Sequence, residues 1–562
     1  MQQVCCVLLV SILAITLAQE DEGPAVTWQE EGGGQVHVQG SWMRTNKGKM
    51  FASFQGVPYA SPPILQSRFL RPVKLEYDAP WTDIDARGFF KTICPQPGDH
   101  PGVVMSEDCL YLNIYTSGAM EDLKPVMVRL HGGAFAYGDG SWDTLGPQHF
   151  LDLDVVVVTL NYRLGALGFL SLGNDAVPGN MGLWDQNTAL TWVHHHIVHF
   201  GGDPDQVTLC GESAGSRSIL YHLLSKQSHG LFQRIIGESG SPISTSWGFI
   251  PAEIASHNGN LFAEKVGCDV NDLKCFQDLP LELLLSLNTF LDDPTDHPNI
   301  ITGNPWNGVV DQGFTDDPFL ADTPINILTN GDFDKNIQVI LGANQDECLA
   351  DTIVFLGYPE LYNIMSSNWD HYGPITVLGK TGLGDITEED KMIAREVLEY
   401  YIGSLDNFNA DHFNEITNMK TDGTYWHGIE TVINLLTVHG VQVHQYIFSY
   451  RGEHSFLDSH GVEPGTLGVA HADELFYLFD PLYHMDLGGM EDSDIKIRDL
   501  LVSLWVSFAK YGDPTPPGSA LAWAPVSPDN RLYMNISGAD PTMQRAEYYE
   551  DRMLFWSSVS KY

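Results

Sequence analysis

Residues Val155–Tyr162 read VVVVTLNY, an apolar and β-branched run with no polar alternation. A strand with one face in water alternates. An unbroken run fits a strand covered on both faces, as in a parallel sheet flanked by helices. Similar runs occur at PVMVRL (Pro125–Leu130), QVTLC (Gln206–Cys210), RIIG (Arg234–Gly237), IQVILG (Ile337–Gly342) and QYIFSY (Gln445–Tyr450). Helical patterns separate them. LWDQNTALTWVHHHIVHF begins at Leu183 and stops at Gly201-Gly202, and AGSRSILYHLL starts directly after Ser213. IKIRDLLVSLWVSFAKYG puts Ile497, Leu500, Leu501, Leu504 and Phe508 on one stripe before Gly512 and Pro514 end it. Strands alternating with helices predict an α/β fold: a mostly parallel central sheet flanked by helices, with helical insertions.

No Pro/Ser/Gly-rich linker or internal repeat divides the chain, so residues 19–562 read as one domain. Residues 1–18, MQQVCCVLLVSILAITLA, have the pattern of a secretory leader. The apolar stretch Val4–Leu17 is short for a membrane span, and QEDEG follows it. The expectation is a secreted protein without a membrane anchor. Six cysteines remain beyond the leader: Cys94, Cys109, Cys210, Cys268, Cys275 and Cys348. They permit about 15 full pairings, of which nearness along the chain favours Cys94–Cys109 and Cys268–Cys275. Each such bridge stabilises by about 2–4 kcal/mol in an oxidising compartment. Cys210 lies in an apolar run and reads as a buried free thiol, and Cys348 has no clear partner. Asn535-Ile536-Ser537 is a glycosylation sequon, expected on a surface turn. With 29 Lys+Arg against 72 Asp+Glu the net charge is −43, and no basic cluster is present to meet phosphates. Nucleic acid and anionic membranes are therefore poor partners.

Ser213 stands in LCGESAGS, between a buried strand and a helix. That is the setting of a nucleophile elbow, a tight turn that lifts the hydroxyl above the sheet edge. A serine alcohol also needs a base, an orienter for the base and donors for an oxyanion. LHGGAFAYG (Leu130–Gly138) follows a core strand with small residues whose backbone N–H groups suit an oxyanion pocket. GANQDECL puts Glu347 just beyond another strand, and GVAHADELFYLF puts His471 in a short loop before an apolar run. The order Ser…Glu…His is that of α/β-hydrolases. His194, His195, His196 and His199 cluster on one helix with no carboxylate or cysteine to complete a ligand set, so a solvated face is expected there and no metal site.

The chain resembles the type-B carboxylesterase/cholinesterase family over essentially its whole mature length. SEDCLYLNIY (Ser106–Tyr115) and GDPDQVTLCGESAGS (Gly202–Ser216) resemble the family's two signatures, and NYRLGALGFL (Asn161–Leu170) and PGNMGLWDQ (Pro178–Gln186) resemble further family blocks. The resemblance implies an α/β-hydrolase fold and a serine esterase acting on small ester substrates without metal or organic cofactor. Ser213 would be the nucleophile, His471 the general base and acid, and Glu347 the orienting acid. The oxyanion donors would be the N–H groups of Gly133, Ala134 and Ala214, with alanine where many members carry a third glycine. The family's disulfides fall on Cys94–Cys109 and Cys268–Cys275.

Within the family, a cholinesterase is disfavoured, because PQPGDHPGVVMSED between Cys94 and Cys109 is short and holds no tryptophan for a quaternary ammonium. A general carboxylesterase is the first reading. A juvenile hormone or methyl farnesoate esterase is the second: its family features match at Arg68-Phe69, Asp185-Gln186, Glu347 and the His471 block, but those enzymes typically have glutamine where this chain has Glu212. A catalytically silent binding or adhesion relative is the rival from another class, disfavoured by the presence of all three of Ser213, Glu347 and His471. Tyr137, Trp306 and Phe355 are aromatics available to line a gorge, although most aromatics are core residues. Activity is expected to fall as His471 protonates, near an ordinary pKa of roughly 6.5.

Overall fold

This computed structural model describes residues 23–560 apart from 31, 78, 89–91, 99, 101, 245–247, 288–304, 381–385, 461–466, 484–489, 528–530 and 546–548. The leader-like residues 1–18 lie outside the described residues. The main sheet has eleven strands among the described residues: β1 (Ser41–Arg44), β2 (Met50–Pro58), β3 (Tyr111–Ser117), β4 (Lys124–Leu130), β5 (Val156–Leu160), β6 (Gly202–Glu212), β7 (Arg234–Glu238), β8 (Gln338–Asn344), β9 (Gln442–Phe448), β10 (Leu532–Ile536) and β11 (Thr542–Arg545). They lie side by side in the order β11-β10-β9-β8-β7-β6-β4-β5-β3-β2-β1. From β5 through β10 the neighbours are parallel, and antiparallel pairs are confined to the two edges. The apolar runs predicted as strands fall on β4 to β9. Every residue of β5 is buried, as its unbroken β-branched run requires.

The strand order places the site. From β4 the chain crosses to β5 on one side, and from β5 it crosses back to β6 on the other. Connections therefore diverge at the carboxyl ends of β4 and β6, which opens a crevice there. The Gly-rich loop leaves β4 at that point and Ser213 leaves β6.

Helix α1 (Met181–His196) continues as a tighter turn through Phe200 and stops at Gly201, whose φ is 80°. α2 (Ala214–Leu224) is buried along its whole length. α3 (Asp492–Tyr511) has Asp492 and Asp494 in its first turn and Lys510 in its last, matching the helix dipole. Arg163 joins the two family blocks near α1: its guanidinium donates to both oxygens of Asp185, each at 2.7 Å, with both side chains buried.

The cysteines pair as Cys94–Cys109 and Cys268–Cys275, while Cys210 and Cys348 are buried and free. Burial pushes both free thiols up, away from the reactive thiolate. Two expectations need correction. Asn535 is not on a turn. It sits half-buried in β10, and its Oδ1 accepts a 2.6 Å bond from Ser449, because Met534 and Ile536 continue an in-register strand. The histidines of α1 are not simply solvated: His196 and His199 lie 5.3 and 5.4 Å from the Trp28 ring, at the edge of a small sheet formed by 25–29, 35–39 and 81–85. Burial pushes the His196 imidazole down to about 4. Trp306 and Phe355 are core residues, whereas Tyr137 is 55 % exposed.

Candidate active site

Ser213 joins β6 to α2 with φ 56° and ψ −119°. A non-glycine residue reaches that region only at a cost of about 1–3 kcal/mol, and surrounding contacts must enforce it. Two do so here. Ser213 N–H donates to the carbonyl of Glu238 at 2.8 Å, and Gly215 is so close to β4 that an added Cβ would lie 2.1 Å from the Leu130 carbonyl oxygen. The elbow is thus pressed onto the start of the Gly-rich loop. Ser213 Oγ makes no hydrogen bond among the described residues.

In that loop Gly133, Ala134 and Phe135 all have positive φ, at 101°, 54° and 58°. A Cβ on Gly133 would sit 2.0 Å from the Tyr137 carbonyl oxygen, so glycine is required there. Gly133 and Ala134 are half-buried beside the elbow, and Ala214 opens α2. The three proposed donors therefore come from the β4 loop and from a helix N-terminus.

Glu347 follows β8. Its Oε1 accepts from the Ser239 hydroxyl at 2.5 Å and from Asn344 N–H at 2.7 Å. Its Oε2 accepts from His471 Nδ1 at 2.6 Å. One imidazole nitrogen is thereby fixed as a donor, and the other, Nε2, is turned toward the elbow. There Nε2 meets Glu212 Oε1 at 3.0 Å, and not Ser213. Glu212 Oε1 lacks hydrogen-bonding geometry to any described partner, so this is a charge contact. A slightly turned π-helical segment, Asp422–Trp426, sets the Tyr425 ring 4.9 Å from the imidazole.

Sequence reading missed Glu212, Ser239, Asn344 and Tyr425 as parts of this site. Glu212 and Asn344 carried a local signal, since Glu212 directly precedes Ser213 and Asn344 stands three residues before Glu347 in the same GANQDECL stretch. Ser239 and Tyr425 reach the site from elements far away in the chain.

The charges shift one another. Burial disfavours a charged His471, but Glu212, Glu347 and Glu474 outweigh it and push the imidazole up to about 9. Burial pushes Glu212 up to about 7, moderated by the cations of His471 and Arg129. Buried Glu474 is raised as well, by desolvation and by Glu212, Glu238 and Glu347. The acid limb of kcat/KM is therefore expected above the 6.5 read from sequence, because the base must lose a proton that the carboxylates hold. Glu212→Gln removes one of those negative charges. Its acid limb should move down by about one pH unit or more, measured as kcat/KM against pH. An unmoved limb would mean that Glu212 does not act on the base.

The sheet order and the turn after β6 define the class, an α/β-hydrolase. The chain belongs to the carboxylesterase family, whose profile matches residues 26–556, and it is a carboxylic ester hydrolase. It is 31% identical to a carboxylic ester hydrolase of Bombus ignitus over 553 residues, 95% of each chain. It is 32% identical to a juvenile hormone esterase of Tribolium castaneum over 563 residues, covering 93% of this chain and 92% of that one. The crystal structure of juvenile hormone esterase from Manduca sexta, with OTFP covalently attached, superposes with a TM-score of 0.79 at 28% identity, covering 96% of this chain and all of that one.

Proposed function

We propose that this esterase works through a Ser213–His471–Glu347 triad and an acyl-enzyme. The observation that carries the reading is the 2.6 Å bond from His471 Nδ1 to Glu347, with Nε2 directed at the strained elbow that holds Ser213. Nε2 meets Glu212, the residue directly before Ser213; the triad requires it to reach Ser213 Oγ in the substrate complex, and such contacts commonly tighten only with substrate bound. His471 takes the hydroxyl proton as Oγ attacks the ester carbonyl. Gly133, Ala134 and Ala214 N–H groups receive the oxyanion. The imidazolium, steadied by Glu347, gives its proton to the departing alcohol. Water, activated by the same imidazole, then releases the acid and restores Ser213.

A neutral organophosphate ester that mimics the tetrahedral intermediate tests this. It should add one phosphoryl group to the peptide containing Ser213, in step with loss of activity. A label elsewhere, or full activity with Ser213 labelled, would overturn the reading.

Secretion belongs to the same proposal, supported by two disulfides suited to an oxidising compartment. A juvenile hormone or methyl farnesoate ester is the second reading, favoured by similarity to the two juvenile hormone esterases. A panel of esters of graded acyl and alcohol length, with methyl farnesoate among them, separates it from a general carboxylesterase by kcat/KM.

A further inference from the structure

We propose that Asn344 is a positioning residue for the esterase reaction, its side-chain amide fixing the loop that carries the base against the strand end that carries the acid. This rests on the triad reading above and adds a residue that the reading does not contain. Asn344 is the last residue of β8 and is fully buried. Its backbone N–H donates to Glu347 Oε1 at 2.7 Å. Its Nδ2 donates to the carbonyl of Ala470 at 2.6 Å and to Glu474 Oε2 at 2.5 Å. Those acceptors lie one residue before His471 and three residues after it. Both amide hydrogens are thus committed, one on each side of the imidazole-bearing residue.

Other contacts join the same two loops. His471 N–H donates to the Glu347 carbonyl at 3.2 Å, Asp346 N–H to the Val469 carbonyl at 3.0 Å, and Val469 N–H to Asp346 Oδ2 at 3.1 Å. They hold the approach to His471. Only Asn344, among these, grips both sides of it while also orienting the Glu347 carboxylate. Asn344 Oδ1 has no hydrogen-bond partner among the described residues, so the amide is used for its donors alone. A buried amide with one end unsatisfied is costly at the end of an apolar strand. It is placed where a small error in the base costs rate.

The test compares Asn344→Ala and Asn344→Leu with Asn187→Ala in the full chain. Leucine refills the volume without the donors. Asn187, on α1 and remote from the site, likewise donates two bonds from Nδ2, to Gln227 and Ser228. With a nitrophenyl ester, both Asn344 variants should lose about 10- to 100-fold in kcat, with KM within about twofold of wild type. Asn187→Ala should match their drop in melting temperature but keep kcat. The inference is overturned if the Asn344 variants keep kcat, if the loss lies in KM, if Asn187→Ala loses kcat equally, or if neither Asn344 variant folds. Should only the alanine variant misfold, the leucine variant decides. An active Ser213→Ala would sink the triad reading itself. An inactive Ser213→Ala beside fully active Asn344 variants would sink only this inference.

Discussion

Ser213→Ala should abolish ester hydrolysis, by about 10⁶-fold in kcat, while leaving the folded protein as stable as before or slightly more so. The two halves of that expectation come from different facts. The rate falls because alanine has no alcohol to attack the carbonyl; what remains is the contribution of the oxyanion donors and of binding. Stability holds because Ser213 Oγ makes no hydrogen bond among the described residues, and alanine keeps the Cβ that already occupies the strained φ of 56°. The Ser213 N–H bond to Glu238 involves only the backbone and survives. Nitrophenyl ester turnover and a thermal melt on the same preparation check both halves. Activity above about one per cent of wild type, with no contaminating esterase, would exclude Ser213 as nucleophile and return attention to a different reaction centre or a binding role.

What the sequence made legible is what local pattern controls. VVVVTLNY had to be a strand buried on both faces, and it is β5. The short segment between QVTLC and AGSRSILYHLL had to be a turn, and the positive φ of Ser213 shows how tight it is. Chain order alone separates an α/β-hydrolase arrangement from other serine triads. What escaped depends on which strand ends meet. Ser239 reaches Glu347 across 108 residues, and Asn344 reaches Glu474 across 130. Such pairs leave no period or motif. Asn535 was misplaced for the opposite reason: its sequon suggests a turn, but β-strand pairing on both sides overrides that local cue. Glu212 was visible beside Ser213, yet nothing in the sequence says that a strand's final side chain turns toward a histidine 259 positions later.

Two carboxylates now face one imidazole, and Glu347→Gln separates their roles. Glutamine has nearly the same shape, so the outcome turns on which end of its amide faces His471. Asn344 N–H points at the Oε1 position and demands an acceptor there. That places the amide oxygen at Oε1 and the NH₂ at Oε2, 2.6 Å from Nδ1 in the parent enzyme. Two donors cannot share that contact, so Nδ1 must give up its hydrogen and Nε2 must carry it. An imidazole protonated at Nε2 cannot accept the Ser213 proton. The expected loss is about 10⁴-fold in kcat, the size associated with the wrong tautomer. Glu212→Gln leaves Nδ1 bonded to Glu347, so it should move the acid limb while keeping the high-pH plateau within about tenfold. If the effects were reversed, with the plateau collapsing in Glu212→Gln and surviving in Glu347→Gln, Glu212 would be the orienting acid and Glu347 a structural neighbour. The geometry argues against that exchange, since Glu347 meets His471 with a true hydrogen bond and Glu212 only with a charge contact.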